Sequence, residues 1–251
     1  MKIPVGVQLY SIRQDCEADL LGSIAKVAEF GYQGVEFAGY FGHSAETLKA
    51  TLDAAGITAP STHIGLGNFD ADKFDATIEF HKVLGIRDLI IPGLPMEMHD
   101  TAEHTLETSK LLSDLTARVR EHGFRLGFHA HGTDMVVIEG GKSSYTILGE
   151  NTPDDFVMQY DTANGMSAGA DPVQPILEFP GRGLSTHLKE WSGEHGAKVI
   201  GEGLVPWMDV FQACESVAGT EWYIVEHESY EGMSPLEAIR LCLVNIREMG
   251  R

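Results

Sequence analysis

The sequence is poor in cysteine, in positive charge and in long apolar runs. It holds three cysteines, Cys16, Cys214 and Cys242. The number is odd and no Cys-x-x-Cys pair occurs, which argues against a disulfide framework and against a structural zinc site. Cys214 and Cys242 fall in helix-like stretches and read as core thiols. Such usage suits a reducing cytoplasm, the expected location. Lys and Arg number 18 against 37 Asp and Glu, a formal net charge of −19. A surface that negative repels phosphate backbones and argues against a nucleic-acid partner. No stretch approaches the ~18 uninterrupted apolar residues of a membrane span. The opening Met1-Lys2-Ile3-Pro4-Val5-Gly6-Val7 is not followed by an apolar stretch with a cleavage site, so no signal peptide is expected. A Gly-x-Gly-x-x-Gly after the first strand pattern and a Walker sequence are both missing, which removes the usual nucleotide cradles.

What is present is a regular alternation. The chain has 251 residues, 43% of them hydrophobic, too apolar for disorder. A chain this long buries roughly three quarters of the surface its unfolded form exposes. Strand patterns fall at Val5–Leu9, Gly34–Phe37, Ala59–His63, Leu89–Ile91, Leu126–His129, Val157–Tyr160, Leu184–Leu188 and Trp222–Glu226. Helix patterns fall between and after them at Leu20–Phe30, Ala45–Ala55, Lys73–Leu84, Thr101–His122, Lys142–Leu148, Val173–Glu178, Trp207–Val217 and Pro235–Met249. Ser234-Pro235-Leu236-Glu237 reads as an N-cap with proline at the first helical position, and Asp171-Pro172-Val173-Gln174 has the same form. Gly31, Gly56, Gly85 and Gly123 stand where helices end. Eight units of about 31 residues predict an α/β fold, a (β/α)8 TIM barrel, as one domain over residues 1–251. Two longer loops, Gly132–Ser144 and Trp191–Val205, follow the fifth and seventh strands.

The last residues of the later strands carry the chemistry. They read His129-Ala130-His131, Tyr160-Asp161, His187-Leu188-Lys189 and Glu226-His227-Glu228. Consecutive strands of a closed barrel are neighbours, so His129, Asp161, His187 and Glu226 converge above it. Two imidazoles and two carboxylates form a divalent-metal set that suits Mn²⁺, Fe²⁺, Co²⁺ or Zn²⁺ better than Mg²⁺ or Ca²⁺. Glu36, His63, Asn164 and Lys189 stand where they could touch a substrate. For Glu36 the alternative is a rim ion pair; for Asn164 it is a loop cap. His43, His81, His99, His104 and His122 read as surface or helix residues. Gly140-Gly141-Lys142-Ser143-Ser144 lacks P-loop spacing and reads as a helix N-cap.

Five segments carry a resemblance: Val5-Gly6-Val7-Gln8-Leu9-Tyr10-Ser11-Ile12-Arg13, Gly31-Tyr32-Gln33-Gly34-Val35-Glu36-Phe37, Tyr160-Asp161-Thr162-Ala163-Asn164, Thr186-His187-Leu188-Lys189-Glu190 and Gly201-Glu202-Gly203. In order and spacing the chain resembles the xylose isomerase-like barrel superfamily. Within it, the chain is similar to the sugar phosphate isomerase/epimerase group, whose relatives include inosose dehydratases and endonuclease IV. The resemblance implies a metal held by one ligand from each of the last four strands. Asp161, His187 and Glu226 match that pattern, whereas His129 stands where epimerases carry a glutamate. His131 or Asp134 could supply the fourth contact instead.

The resemblance further implies a divalent cofactor, manganese first with Fe²⁺, Co²⁺, Zn²⁺ or Mg²⁺ as alternatives, and a small carbohydrate substrate. It implies isomerisation or epimerisation through an enediolate; a single carboxylate base, Glu226, with histidines opposite fits isomerisation, or β-elimination with His129 or His131 as the acid, better than a two-carboxylate epimerase. A dehydratase or lyase acting on a keto-sugar or keto-inositol is the alternative, and a non-catalytic sugar-binding barrel a lesser one. Homo-oligomers are common in the group.

Overall fold

A computed structural model of the chain describes residues 2–138, 140–193, 198–230 and 232–251. Residue 139 of the first long loop and residues 194–197 of the second therefore lie outside the described residues.

Strands β1 (Val5–Gln8), β2 (Gly34–Phe37), β3 (Thr58–His63), β4 (Asp88–Ile91), β5 (Arg125–His129), β6 (Val157–Gln159), β7 (Ser185–Leu188) and β8 (Trp222–Val225) form one sheet. Its order is β6-β5-β4-β3-β2-β1-β8-β7, and every pairing is parallel. The remaining gap, between β6 and β7, closes through a parallel bridge between Asp161 and His187. There the N–H of His187 donates to the carbonyl of Tyr160 at 2.9 Å. The expected TIM barrel is present, and its last seam is stitched by two of the residues singled out for chemistry.

The helices are α1 (Arg13–Phe30), α2 (Ala45–Ala55), α3 (Phe74–Leu84), α4 (Ala102–Arg120), α5 (Gly132–Met135), α6 (Ser144–Glu150), α7 (Thr162–Ser167), α8 (Gln174–Glu178), α9 (Trp207–Ala213) and α10 (Pro235–Glu248). The side chain of Ser234 accepts from the N–H of Glu237 and caps α10, with Pro235 at its first turn. Ser143 caps α6 in the same way, as the glycine-rich run predicts. Gly31, Gly56 and Gly85 end α1, α2 and α3 in the left-handed conformation that a side chain would disfavour.

Three expectations need correction. Helix α1 begins at Arg13, not Leu20; its backbone breaks at Asp19, whose carboxylate accepts from the N–H of Gly22 and restarts the helix at Leu20. Asp171 accepts from the N–H groups of Val173 and Gln174, so the turn is capped but α8 starts only at Gln174. Short helices α5 and α7 lie directly after β5 and β6, where the sequence showed only loop.

Two cores follow from strand alternation. Outward-facing Val7, Val35, Phe37, Leu89, Ile91, Leu126, Phe128, Met158, Leu188, Tyr223 and Val225 pack against the helices and are buried. Each fully buried aliphatic or phenyl side chain contributes about 1.5–3 kcal/mol. Inside the barrel the lower layer is apolar, and glycines make room for it. A Cβ on Gly34 would meet the Trp222 ring at 2.8 Å, and one on Gly127 would meet Ile90 and Val157 at 2.7 Å. At the very base Arg125 donates to Asp88 at 2.5 and 2.8 Å and to Glu221 at 2.9 and 3.2 Å, an ion triad across the strand starts. The upper layer is polar, and the site rests on it.

Candidate metal centre and active site

The site is built upward from Glu36, fully buried inside the barrel. One carboxylate oxygen accepts from Gln8 at 2.7 Å and from Nε2 of His187 at 2.6 Å. The other accepts from Ser61 at 2.5 Å and from the amide of Gln159 at 2.9 Å. Nε2 of His63 lies 3.1 Å from the first oxygen. Burial opposes charge on Glu36, but His63 and His187 override it and hold the carboxyl well below its ordinary range. Glu36 therefore sits beneath the cleft and grips His187. It lies neither on the cleft wall nor at the rim.

Above this floor His129, Asp161, His187 and Glu226 each bring one ligand atom within 4.8 Å of the others, all buried. Nδ1 of His187 meets Oε2 of Glu226 at 2.5 Å. Burial disfavours the charged ring, yet Glu36 and Glu226 raise its pKa to about 10. Burial together with the neighbouring His187 and His63 drives His129 well below the usual imidazole value, so it is neutral. Glu226 is held well below the carboxylate range against its burial, chiefly by Lys189 and His187. Asp161 goes the other way: burial raises it to about 6 despite Lys189.

Asp161 supplies the decisive detail. Its Oδ1 caps α7 by accepting the N–H of Asn164 at 2.7 Å, which fixes the side chain. Its Oδ2 is buried and has no donor. A buried carboxylate oxygen without a partner costs about 1–3 kcal/mol or more, and a cation removes that cost. The residues fit such an ion: two carboxylates, two imidazoles, and a second nitrogen on each ring hydrogen-bonded to the layer below, as metal-binding histidines usually are.

The other expected residues divide. Lys189 is buried; its Nζ pairs with Glu228, reaches Oδ1 of Asn164 at 3.2 Å and lies 4.0 Å from Glu226. Burial lowers the charged form, but Asp161, Glu226 and Glu228 keep it protonated, its pKa above the ordinary lysine value. Asn164 also donates to the carbonyl of Ala130 at 3.1 Å. His63 stacks on His187 with ring centroids 5.3 Å apart. His63, His129, His131, Glu226, Glu228 and Tyr10 line a cleft of about 380 Å³. His131 stands edge-on to His129 at 5.0 Å and is not among the four clustered ligands. Asp134 turns away: its Oδ2 accepts the N–H of His131 and its Oδ1 lies 3.1 Å from Nδ1 of buried His99. His99 is thus neither a surface nor a helix residue. Of the strand-five candidates, the structure brings His129 into the cluster.

Sequence reasoning missed Gln8, Ser61, Gln159 and Ser185. A signal existed: Ser61, Gln159 and Ser185 stand two residues before His63, Asp161 and His187, hence on the same inward face. It also missed the role of Glu190, a buried carboxylate that accepts from the N–H groups of Trp191, Gly201 and Val205 and from the Trp207 indole at 2.7–3.1 Å. That anchor ties the long loop after β7 beside the site.

The profile of the xylose isomerase-like TIM barrel family matches residues 24–242. The chain belongs to that family. Among relatives of this xylose isomerase-like barrel is the rhizopine catabolism protein MocC of Rhizobium meliloti, 24% identical over 74% of this chain and 62% of its own length. Another is the inosose dehydratase of Geobacillus kaustophilus (strain HTA426), 24% identical over 66% of this chain and 60% of its own. The chain thus spans about three fifths of the curated relatives it matches. Among solved structures, a sugar phosphate isomerase/epimerase from Parabacteroides distasonis ATCC 8503 superposes with a TM-score of 0.85 at 20% identity, over 98% of this chain and 94% of that one. The IolI protein, solved with a zinc atom bound, gives 0.76 at 14% identity over 98% and 97%. Among the described residues no helix is long and apolar enough to cross a membrane.

Proposed function

We propose that this barrel is a divalent-metal enzyme acting on a sugar or sugar derivative, removing a proton beside a carbonyl and returning one to the adjacent carbon, an isomerisation, or to the opposite face of the same carbon, an epimerisation. The observation that carries the reading is the donorless Oδ2 of Asp161 inside a ring of ligand-type side chains. His129, Asp161, His187 and Glu226 would hold the cation, manganese being the first candidate and zinc supported by the IolI structure. A bound divalent ion would supply Lewis-acid stabilisation of the charge that develops on the substrate oxygens.

The chain's own groups supply the rest. Glu226 lines the cleft as an ionised carboxylate and serves in this reading as the base that takes the carbon-bound proton. His131 stands on the cleft wall, and burial lowers its pKa below the ordinary imidazole value, so its ring is neutral near pH 7 and free to accept a proton. Lys189, held by Glu228 and Asn164, presents fixed positive charge to substrate oxygens. A cleft of about 380 Å³ suits a monosaccharide or cyclitol.

A dehydratase reading has its own support. The end of β5 and the residue two beyond it offer imidazoles, His129 and His131, where a second carboxylate base would stand, and His131, after taking a proton from solvent, could pass it to a departing hydroxyl that leaves as water. The inosose dehydratase relative favours a keto-inositol for that reading. One experiment tests both. Metal-stripped protein is reloaded with single divalent ions and incubated in D₂O with ketoses and keto-inositols. Metal-dependent loss of the carbon-bound proton by NMR is expected. No exchange with any substrate under any ion would overturn the proposal, and the product distinguishes its two forms.

A further inference from the structure

Beneath the four clustered residues lies a pair the reaction does not touch, Glu36 and Gln159. We infer that this pair is a positioning floor that sets the proton positions of all three histidines above it. The inference rests on the metal-centre reading and assigns the residues that prepare the imidazoles for it.

The orientation of Gln159 is forced by charge. Its Nε2 faces Glu36 at 2.9 Å and Ser185 Oγ at 2.8 Å. Reversing the amide would point its oxygen at the Glu36 carboxylate. With Nε2 downward, Oε1 is the acceptor left for Nδ1 of His129 at 3.0 Å and Nε2 of His63 at 2.9 Å. An amide oxygen only accepts, so His129 carries its proton on Nδ1 and His63 on Nε2. Glu36 likewise accepts from Nε2 of His187. The nitrogens turned away from the floor are Nε2 of His129, Nδ1 of His63 and Nδ1 of His187, the last of which meets Glu226. Nδ1 of His187 is the atom that lies 4.0 Å from Oδ2 of Asp161.

A second contact agrees independently. Asn164 accepts from Lys189 through Oδ1, so its Nδ2 faces Nε2 of His129 at 3.5 Å. A donor placed there requires a lone pair on Nε2. The barrel wall thus prepares the histidines before any ion arrives, and Gln159 does so through an amide whose nitrogen and oxygen are both already engaged.

Two readouts test this. In metal-free protein, nitrogen-15 NMR of the histidine rings is expected to show His129 as the Nδ1–H tautomer. In Gln159→Leu that tautomer is lost, and cobalt affinity by titration calorimetry falls roughly 10–100-fold with altered cobalt absorption bands. Gln159→Glu, sharing one proton with Glu36, restores the acceptor and recovers both signals, which a merely structural role would not predict. Unchanged cobalt affinity in Gln159→Leu, or an Nε2–H tautomer of His129 in the unaltered protein, overturns the inference. The second of these needs no variant to fold. Failure of the unaltered protein to bind cobalt overturns the metal-centre reading instead, and the tautomer measurement still decides the floor.

Discussion

Nδ1 of His187 stands 4.0 Å from Oδ2 of Asp161, and the two residues also form the bridge that closes the barrel between β6 and β7. The fold's last seam and a donorless oxygen of the four-residue cluster are therefore the same place. Stability and function oppose each other there.

Asp161→Asn separates the two. In chelator the variant is expected to be more stable than the unaltered protein by about 1 kcal/mol, because a buried unpaired charge is removed. Its cobalt affinity should fall at least tenfold. Denaturant unfolding and calorimetry on the same samples check the pair; a destabilised variant with unchanged affinity would contradict the assignment.

Glu226→Gln keeps the shape and removes the proposed base. Proton exchange into a keto-substrate should drop about 10²–10⁴-fold, with the melting temperature of the substrate-free protein held within a few degrees. Exchange continuing at the original rate would remove Glu226 from the chemistry.

Arg125→Ala leaves Asp88 buried without its cation at the barrel base. Breaking such a pair costs about 3–5 kcal/mol at neutral pH. The sign with pH follows from Asp88, whose pKa burial already raises against the pull of Arg125. Without Arg125 it rises further, so the fold favours the protonated acid and the variant loses stability as pH climbs through that raised value. Glu221, lowered by Arg125 in the unaltered protein, loses that gain. The penalty should therefore shrink as pH falls through that raised value toward the ordinary carboxylate range, measured by urea unfolding across pH.

Gly203→Ala probes the loop anchor. The new Cβ would lie 2.5 Å from Oε1 of Glu190 and from the carbonyl of Trp191. Overpacking of this kind costs about 1–3 kcal/mol. The loss should appear in thermal unfolding together with a change in Trp207 fluorescence, since its indole donates to the same carboxylate.

The strands were legible because parallel barrel strands are short apolar runs bounded by turns; β2 matches its expected span, and the others shift by one residue. Helix α1 was half legible. Asp19 interrupts it, and the polar turn from Gln14 to Asp19 hides any apolar stripe, so only the part after the break shows periodicity. Helix α7 was illegible because Thr162-Ala163-Asn164-Gly165 has little helix propensity and owes its first turn to the Asp161 cap. The four clustered residues stood out as charged or imidazole groups at strand ends. Gln8 and Gln159 did not, since a neutral amide carries no charge to mark it, and for Gln159 only the register two residues before Asp161 pointed inward.

Below the polar floor the barrel interior is hydrocarbon: Trp222 over Gly34, Ile90 and Val157 over Gly127. Among the described residues, the next ionisable groups inward are Asp88 and Arg125, locked in the ion triad at the base. Proton traffic for the site therefore has one direction, through the open mouth. On the proposed reaction, a proton lifted from a carbon by Glu226 would return to the same molecule or wait for the cleft to rehydrate. The lower half of the barrel would then act as an insulator, setting how much label is retained in a single turnover.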